Sequence, residues 1–336
     1  MDKQLNGTLM KRLALYIFFV VFFTTGCVEH FISVNIQPDG SYILEFVSRG
    51  DSTDVFDDDF LHPPKGENWS QHVWTERTED DTTWIMETRG YLVTGDRFIS
   101  SHKSKGTLIH PIEIEIKNRW VSTLYTARHT FKGREIYRKY PRLAESLEES
   151  AGSDSVEWFT EAFVYIISSS LKDMEKQAGS GLTPFTIERM TTHIRNYAER
   201  IKSKKLIDKI SGERDDFLQT LFKPFSGDLQ KSFYEKLDNA MQPYKKELRV
   251  TTGLQDDIFN FRLTMPGLVT RSNADTLEGD TLKWEFKLGD FAGDDYVMEA
   301  VSVIYKTKAI QRIAVFIIIA SILIWLFLWI TVFRKS

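Results

Sequence analysis

Residues 313–333, IAVFIIIASILIWLFLWITVF, form an apolar run without a single charged side chain. About twenty such residues in a helix cross the hydrocarbon core of a bilayer. The run therefore predicts a transmembrane helix, and everything before it must fold as a body tethered to a membrane. Lys306, Lys308 and Arg312 precede the run, and Arg334 and Lys335 follow it. With basic residues on both sides, the positive-inside rule alone does not orient the helix. Trp325 and Trp329 fall one turn apart and read as interfacial or lipid-facing aromatics, with a helix-pairing face as the alternative.

The opposite end supplies the orientation. Lys11 and Arg12 precede an apolar stretch from Leu13 to Phe23, and Thr24, Thr25 and Gly26 lead into Cys27, the one cysteine of the chain. A short basic segment, an apolar segment of this length and small residues before a junction read as an export signal over residues 1–26. The Gly26-Cys27 junction resembles the bacterial lipobox, which implies a diacylated Cys27 as the new N-terminus; Thr24 departs from the branched aliphatic usual at that position. The alternative is an uncleaved signal anchor with Cys27 as a thiol at the membrane edge. Export places the body outside the cytoplasmic membrane and residues 334–336 in the cytoplasm. A spanning helix also retains the protein in that membrane far more firmly than acyl chains do. A single cysteine makes no internal disulfide, so the exported body must rely on its core.

That core is available: 42% of the 336 residues are hydrophobic and 13% aromatic. The formal net charge of −4 becomes more negative once the basic termini are set aside. Nucleic-acid binding needs clustered Lys and Arg, so this balance argues against it.

Hydrophobic periodicity divides the body. In ISVNIQPDGSYILEF, Ile32, Val34 and Ile36 alternate with polar residues, Pro38-Asp39-Gly40 supplies a turn, and Tyr42, Leu44 and Phe46 resume the alternation. This predicts a hairpin. HVWTERTEDDTTWIMETRGYL and IEIEIKNRWVSTLYTARHTF repeat the pattern, the latter with Ile112, Ile114 and Ile116 on one face. Residues 27–137 thus read as β-rich. From 138 to 249 the period becomes helical. Ile187, Met190, Ile194, Tyr197 and Ile201 follow Thr183-Pro184, and a further helix is expected through Leu229, Phe233, Leu237 and Met241, closing near Pro243. VEWFTEAFVYIISSSL reads as a buried helix, with an interfacial one as the alternative. Alternation returns over 250–308, at Phe259, Phe261, Leu263 and Met265 and at Leu282, Trp284, Phe286 and Leu288. The expected class is α+β: a single, mostly antiparallel sheet built from both β-rich parts, with an inserted helical segment and one C-terminal transmembrane helix.

The stretch LTMPGLVTRSNADTLEGDTLKWEFKLGD contains Pro266-Gly267, Asn273-Ala274, Gly279 and Trp284. With the early Pro38-Asp39-Gly40-Ser41 turn behind Cys27, it resembles the LppM-type domain of bacterial envelope lipoproteins, in which such strands precede a C-terminal membrane helix. The resemblance spans residues 27–133 and 250–333 and implies an envelope location; the helical insert lies outside it.

Catalytic motifs are sparse. His30, His62, His72, His102, His110, His129 and His193 are scattered in sequence without metal-ligand spacing, and read as surface or packing residues. AGSGL around Ser180 is a linker and no nucleophile elbow. Asp51, Asp54, Asp57, Asp58 and Asp59 read as a solvated acidic loop, with a weak cation site as the alternative. Lys202, Lys204, Lys205 and Lys209 read as a solvated face, with anionic headgroups as the alternative partner. No cofactor and no metal is expected, and Cys27 is the one site residue, for lipidation. The expected function is a non-enzymatic, membrane-anchored envelope lipoprotein. It meets membrane lipid through acylated Cys27 and helix 313–333, and its extracytoplasmic body serves as an interaction or scaffold module for an envelope protein. The alternatives are a binder of lipid or another envelope amphiphile, and a hydrolase-type envelope enzyme.

Overall fold

The first hairpin forms as its pattern dictates. β1 (Glu29–Ile36) pairs antiparallel with β2 (Tyr42–Gly50), Ile36 opposite Tyr42. The Asp39 carboxylate accepts from the Ser41 amide (2.9 Å) and hydroxyl (2.7 Å), while Gly40 takes φ +88°. That left-handed conformation favours glycine. These elements belong to a computed structural model that describes residues 28–56, 62, 68–77, 82–96, 98, 106–148, 158–176, 181–201, 204–207, 214–227, 229–230 and 232–333. Cys27 and the signal segment 1–26 lie outside the described residues. So do Asp57, Asp58, Asp59, His102, Ser180, Lys202, Lys209, Arg334 and Lys335.

After the short α1 (Ser52–Val55) come β3 (Trp69–Arg77), β4 (Thr82–Leu92), β5 (Ile112–Asn118) and β6 (Ser122–Phe131). The helical segment follows: α2 (Ile136–Lys139), α3 (Pro141–Glu148), α4 (Trp158–Glu175), α5 (Pro184–Arg200), α6 (Arg214–Phe222) and α7 (Phe233–Gly253). The chain then returns to strands in β7 (Ile258–Thr264), β8 (Leu268–Ser272), β9 (Thr276–Glu278), β10 (Thr281–Lys287) and β11 (Tyr296–Tyr305), and ends in α8 (Thr307–Phe333).

The strands make two sheets, where the sequence pattern suggested one. The larger has the order β3-β4-β2-β1-β7-β10-β9 and the smaller β5-β6-β11-β8. Both carry apolar residues on a facing surface: Phe131 of the smaller sheet meets Phe259 and Phe286 of the larger, with ring centroids 5.5 and 4.8 Å apart. Two sheets bury two such faces against each other, which a single sheet cannot do. The last third of the chain weaves between them, β7 in the larger sheet, β8 in the smaller, β9 and β10 in the larger, β11 in the smaller. Among the described strands, pairing is antiparallel except between β1 and β7, which run parallel with Glu29 beside Ile258. A parallel neighbour needs a long crossover connection. Here the whole chain from β2 to α7 supplies it.

The motif residues of 266–284 do the weaving. Gly267 sits at φ +82° where a Cβ would lie 2.5 Å from the Val303 carbonyl oxygen, and the Ser302 hydroxyl donates to the Pro266 carbonyl (2.7 Å). The Asn273 side chain accepts from the Glu299 amide (2.8 Å) and from Trp284 Nε1 (3.2 Å), and donates to the Val297 carbonyl (2.7 Å). One side chain thereby ties β10 to β11 across the sheets.

The helices have a second core of their own, containing Phe163, Ile167, Leu171, Met190, Ile194, Phe222, Phe233 and Leu237; Leu248 packs against both cores. Thr183 caps α5, its Oγ1 accepting from the Thr186 amide (3.2 Å), with Pro184 in the first turn. α7 differs from expectation. It starts at Phe233, leaving Leu229 outside, and runs through Pro243 to Gly253. Proline removes one intrahelical bond at a cost of about 3 kcal/mol. The second half of α7 offsets this by its anchoring: Tyr244 donates to Asp173 (2.6 Å), Val250 is fully buried, and Arg134 reaches Thr251.

Arg134 is the bolt between helices and sheets. It is 6% exposed, and donates to Thr251 Oγ1 and to the carbonyls of Thr107 and Glu247. Lys139 adds a 2.5 Å contact to Glu247. The chain enters and leaves the helical segment at the end of the sheets where β11 begins, since Phe131 pairs with Tyr296 and Ile258 with Lys287 and with Val28. α8 leaves at the end where β11 finishes.

Candidate functional site

Four histidines that are scattered in sequence, His30, His62, His110 and His129, are brought together in the space between the sheets. Each is under 5% exposed. They are packing residues, as expected, and the fold adds hydrogen-bond and ring contacts that link them. His72 is exposed on β3, and His193 is half-buried, bonded to the Leu221 carbonyl (2.9 Å).

His30 stands on the core face of β1, directly across from Ser48 on β2. Ser48 Oγ lies 2.7 Å from His30 Nδ1 and 2.7 Å from His62 Nε2. His62 Nδ1 lies 2.9 Å from Thr88 Oγ1 on β4, and His30 Nε2 lies 3.1 Å from Asp257 Oδ2, just before β7. With Asp257 a carboxylate, the proton positions follow. His30 Nε2–H donates to Asp257, so neutral His30 accepts from the Ser48 hydroxyl at Nδ1. Ser48 then accepts from His62 Nε2–H, and His62 Nδ1 accepts from the Thr88 hydroxyl. The chain Thr88–His62–Ser48–His30–Asp257 is continuous, each group hydrogen-bonded to the next.

Burial holds His62 neutral. Its pKa is pushed down to about 3, chiefly by desolvation and then by the proximity of His30 and His110. His129 is likewise held well below the ordinary histidine range by burial and by His110. His110 and His129 have ring centroids 5.6 Å apart amid Phe46, Phe98, Phe131 and Phe261. His129 Nδ1 has no hydrogen-bond partner among the described residues.

In its order, Asp257–His30–Ser48 is the acid–base–hydroxyl arrangement of a hydrolase. Its setting differs, because Ser48 is fully buried and shared between two imidazoles. No group of three or more His, Cys, Asp or Glu able to hold a metal ion occurs among the described residues. Of the expected acidic loop, Asp51 and Asp54 border or occupy α1. Of the lysine cluster, Lys204 and Lys205 are exposed.

The sequence held one overlooked signal. His30 has the parity of Ile32 and Val34, and Ser48 that of Leu44 and Phe46, so both are polar residues at core-facing positions of alternating strands. Buried polar groups require partners, and each could have been assigned to the other.

The second candidate region is the end from which α8 departs. The span Thr307–Trp329 has a mean hydropathy of 2.5 and none of it is buried against the body. Only Lys306 separates it from β11.

No protein-family model matches the sequence, and no curated protein matches it. Among solved structures, the folded domain of the Mycobacterium tuberculosis protein LppM, determined by NMR, aligns over 84% of this chain and 94% of that domain, at 8% sequence identity and a TM-score of 0.28. So loose a superposition carries no weight for fold or function.

Proposed function

We propose that this chain is a non-enzymatic, membrane-anchored protein of the bacterial cell envelope, whose extracytoplasmic body acts through contact with an envelope protein. α8 is its membrane anchor and Cys27 its acylation site. The observation that carries the reading is α8 itself: a long apolar helix, joined to the last strand by one residue and with none of its span buried, is stable in lipid and costly in water. Phe46, Phe131, Phe259, Phe261 and Phe286 lie buried in one continuous core between the sheets, which supports a scaffold over a binder of amphiphiles. Crosslinking in intact membranes followed by affinity purification tests the reading. Recovery of one recurrent envelope protein is expected, and repeated recovery of none would count against it.

The Asp257–His30–Ser48 order favours a second reading, a hydrolase. A fluorophosphonate probe separates the two. Labelling of the native chain that disappears in Ser48→Ala supports an enzyme; the buried setting of Ser48 supports no labelling of either.

A further inference from the structure

The hairpin between β5 and β6 ends in Arg119-Trp120-Val121, and Trp120 is 86% exposed, the most exposed large hydrophobic residue described. This tip is fixed to the root of α8. The Lys306 amide donates to the Val121 carbonyl (2.8 Å) and Lys306 Nζ to the Arg119 carbonyl (2.9 Å). Thr307 opens α8 at the next position. Beside the tip stand two further exposed apolar residues: Tyr305, paired with Ser122, is 56% exposed, and Leu268, paired with Val303, is 63% exposed. Arg119, Lys308 and Arg312 are exposed around them. Acidic groups nearby are engaged: Glu115 with Lys117 (2.9 Å), and Asp39 with Ser41.

We propose that this end of the smaller sheet is a foot that docks on the lipid surface around α8. Trp120, Tyr305 and Leu268 sit at headgroup depth, and the basic residues meet anionic phosphates. The inference rests on α8 being a membrane anchor. If α8 enters a bilayer, the amide and Nζ bonds of Lys306 leave the hairpin tip no room to stand away from its surface. Tryptophan and tyrosine are the side chains that favour that interface, and exposed Lys and Arg there attract anionic lipid. Docking would fix the body relative to the membrane and leave the helical segment rooted at the opposite end.

The test uses the mature chain, residues 28–336, which lacks the signal segment and Cys27, with a single new cysteine, Trp120→Cys, carrying an environment-sensitive fluorophore. The protein is reconstituted into phosphatidylcholine vesicles with or without phosphatidylglycerol, each containing lipid spin-labelled near the headgroup. Resistance to alkaline extraction reports α8 insertion separately. The expected result is a blue-shifted label quenched severalfold more than one at Tyr137→Cys beside the helical segment, with weaker quenching when phosphatidylglycerol is omitted or when Arg119→Glu and Lys308→Glu are introduced. An inserted protein whose label at 120 is no more quenched than at 137 overturns the docking and leaves the anchor intact. A protein extracted by alkali overturns both.

Discussion

His30 Nε2 and Asp257 Oδ2 lie 3.1 Å apart across 227 residues of sequence, joining the first strand to the turn that leads into its parallel neighbour β7. The contact closes the crossover that contains every described helix of the insert. Their side chains are 4% and 9% exposed. Removing one partner of a buried pair leaves the other desolvated without compensation. Asp257→Ala is therefore expected to lower stability by about 3 kcal/mol, read as a lower urea midpoint with little change in slope. An unchanged midpoint would mean that the network carries no stability.

Acid should weaken the body through His62 and His129. Both are neutral when folded because burial depresses their pKa, whereas the unfolded chain takes up protons below about pH 6.5. Their stability contribution is thus complete above pH 6.5. It declines as pH falls from there toward about 3, where His62 begins to protonate in place. Each group contributes a slope of up to about 1.4 kcal/mol per pH unit. Urea midpoints measured across this window should show His62→Gln with a shallower slope than the native chain. Parallel slopes would place the proton uptake elsewhere.

Two glycines of one motif should respond differently to alanine. Both have positive φ, +82° at Gly267 and +66° at Gly279. A Cβ at 267 meets the Val303 carbonyl at 2.5 Å, while a Cβ at 279 meets nothing within 4 Å. Gly279→Ala is expected to cost about 1 kcal/mol of backbone strain. Gly267→Ala should cost clearly more, because the junction between the sheets must shift. Thermal melting of the two variants side by side checks the order.

Arg134→Lys keeps the charge but loses the planar fork that reaches Thr251, Thr107 and Glu247 together. A loss of about 2 kcal/mol is expected, with hydrogen exchange accelerating first in α7, which Arg134 holds to the sheets. Uniform acceleration across the chain would show that helices and sheets unfold as one unit.

Much of this architecture could be read from local chemistry. Pro38-Asp39-Gly40 turns as its residues require, and Thr183-Pro184 opens a helix by the ordinary capping bond. What escaped was set by distant partners. Pro243 reads as a helix end, yet Tyr244, Val250 and Thr251 are anchored strongly enough to carry α7 past it. One sheet or two is decided by which apolar faces meet, and alternation along a strand does not specify its opposite layer. The histidine network escaped because His30 and Asp257 are neighbours only after the crossover closes.

The most direct test of membrane anchoring is alkaline extraction of residues 28–336, exported behind a cleavable secretory signal, compared with the same chain ended at Lys306. Without Cys27 acylation, α8 is the anchor expected to hold the body. The account predicts that the longer chain stays with the membrane pellet and the shortened chain is released. Release of both would contradict it.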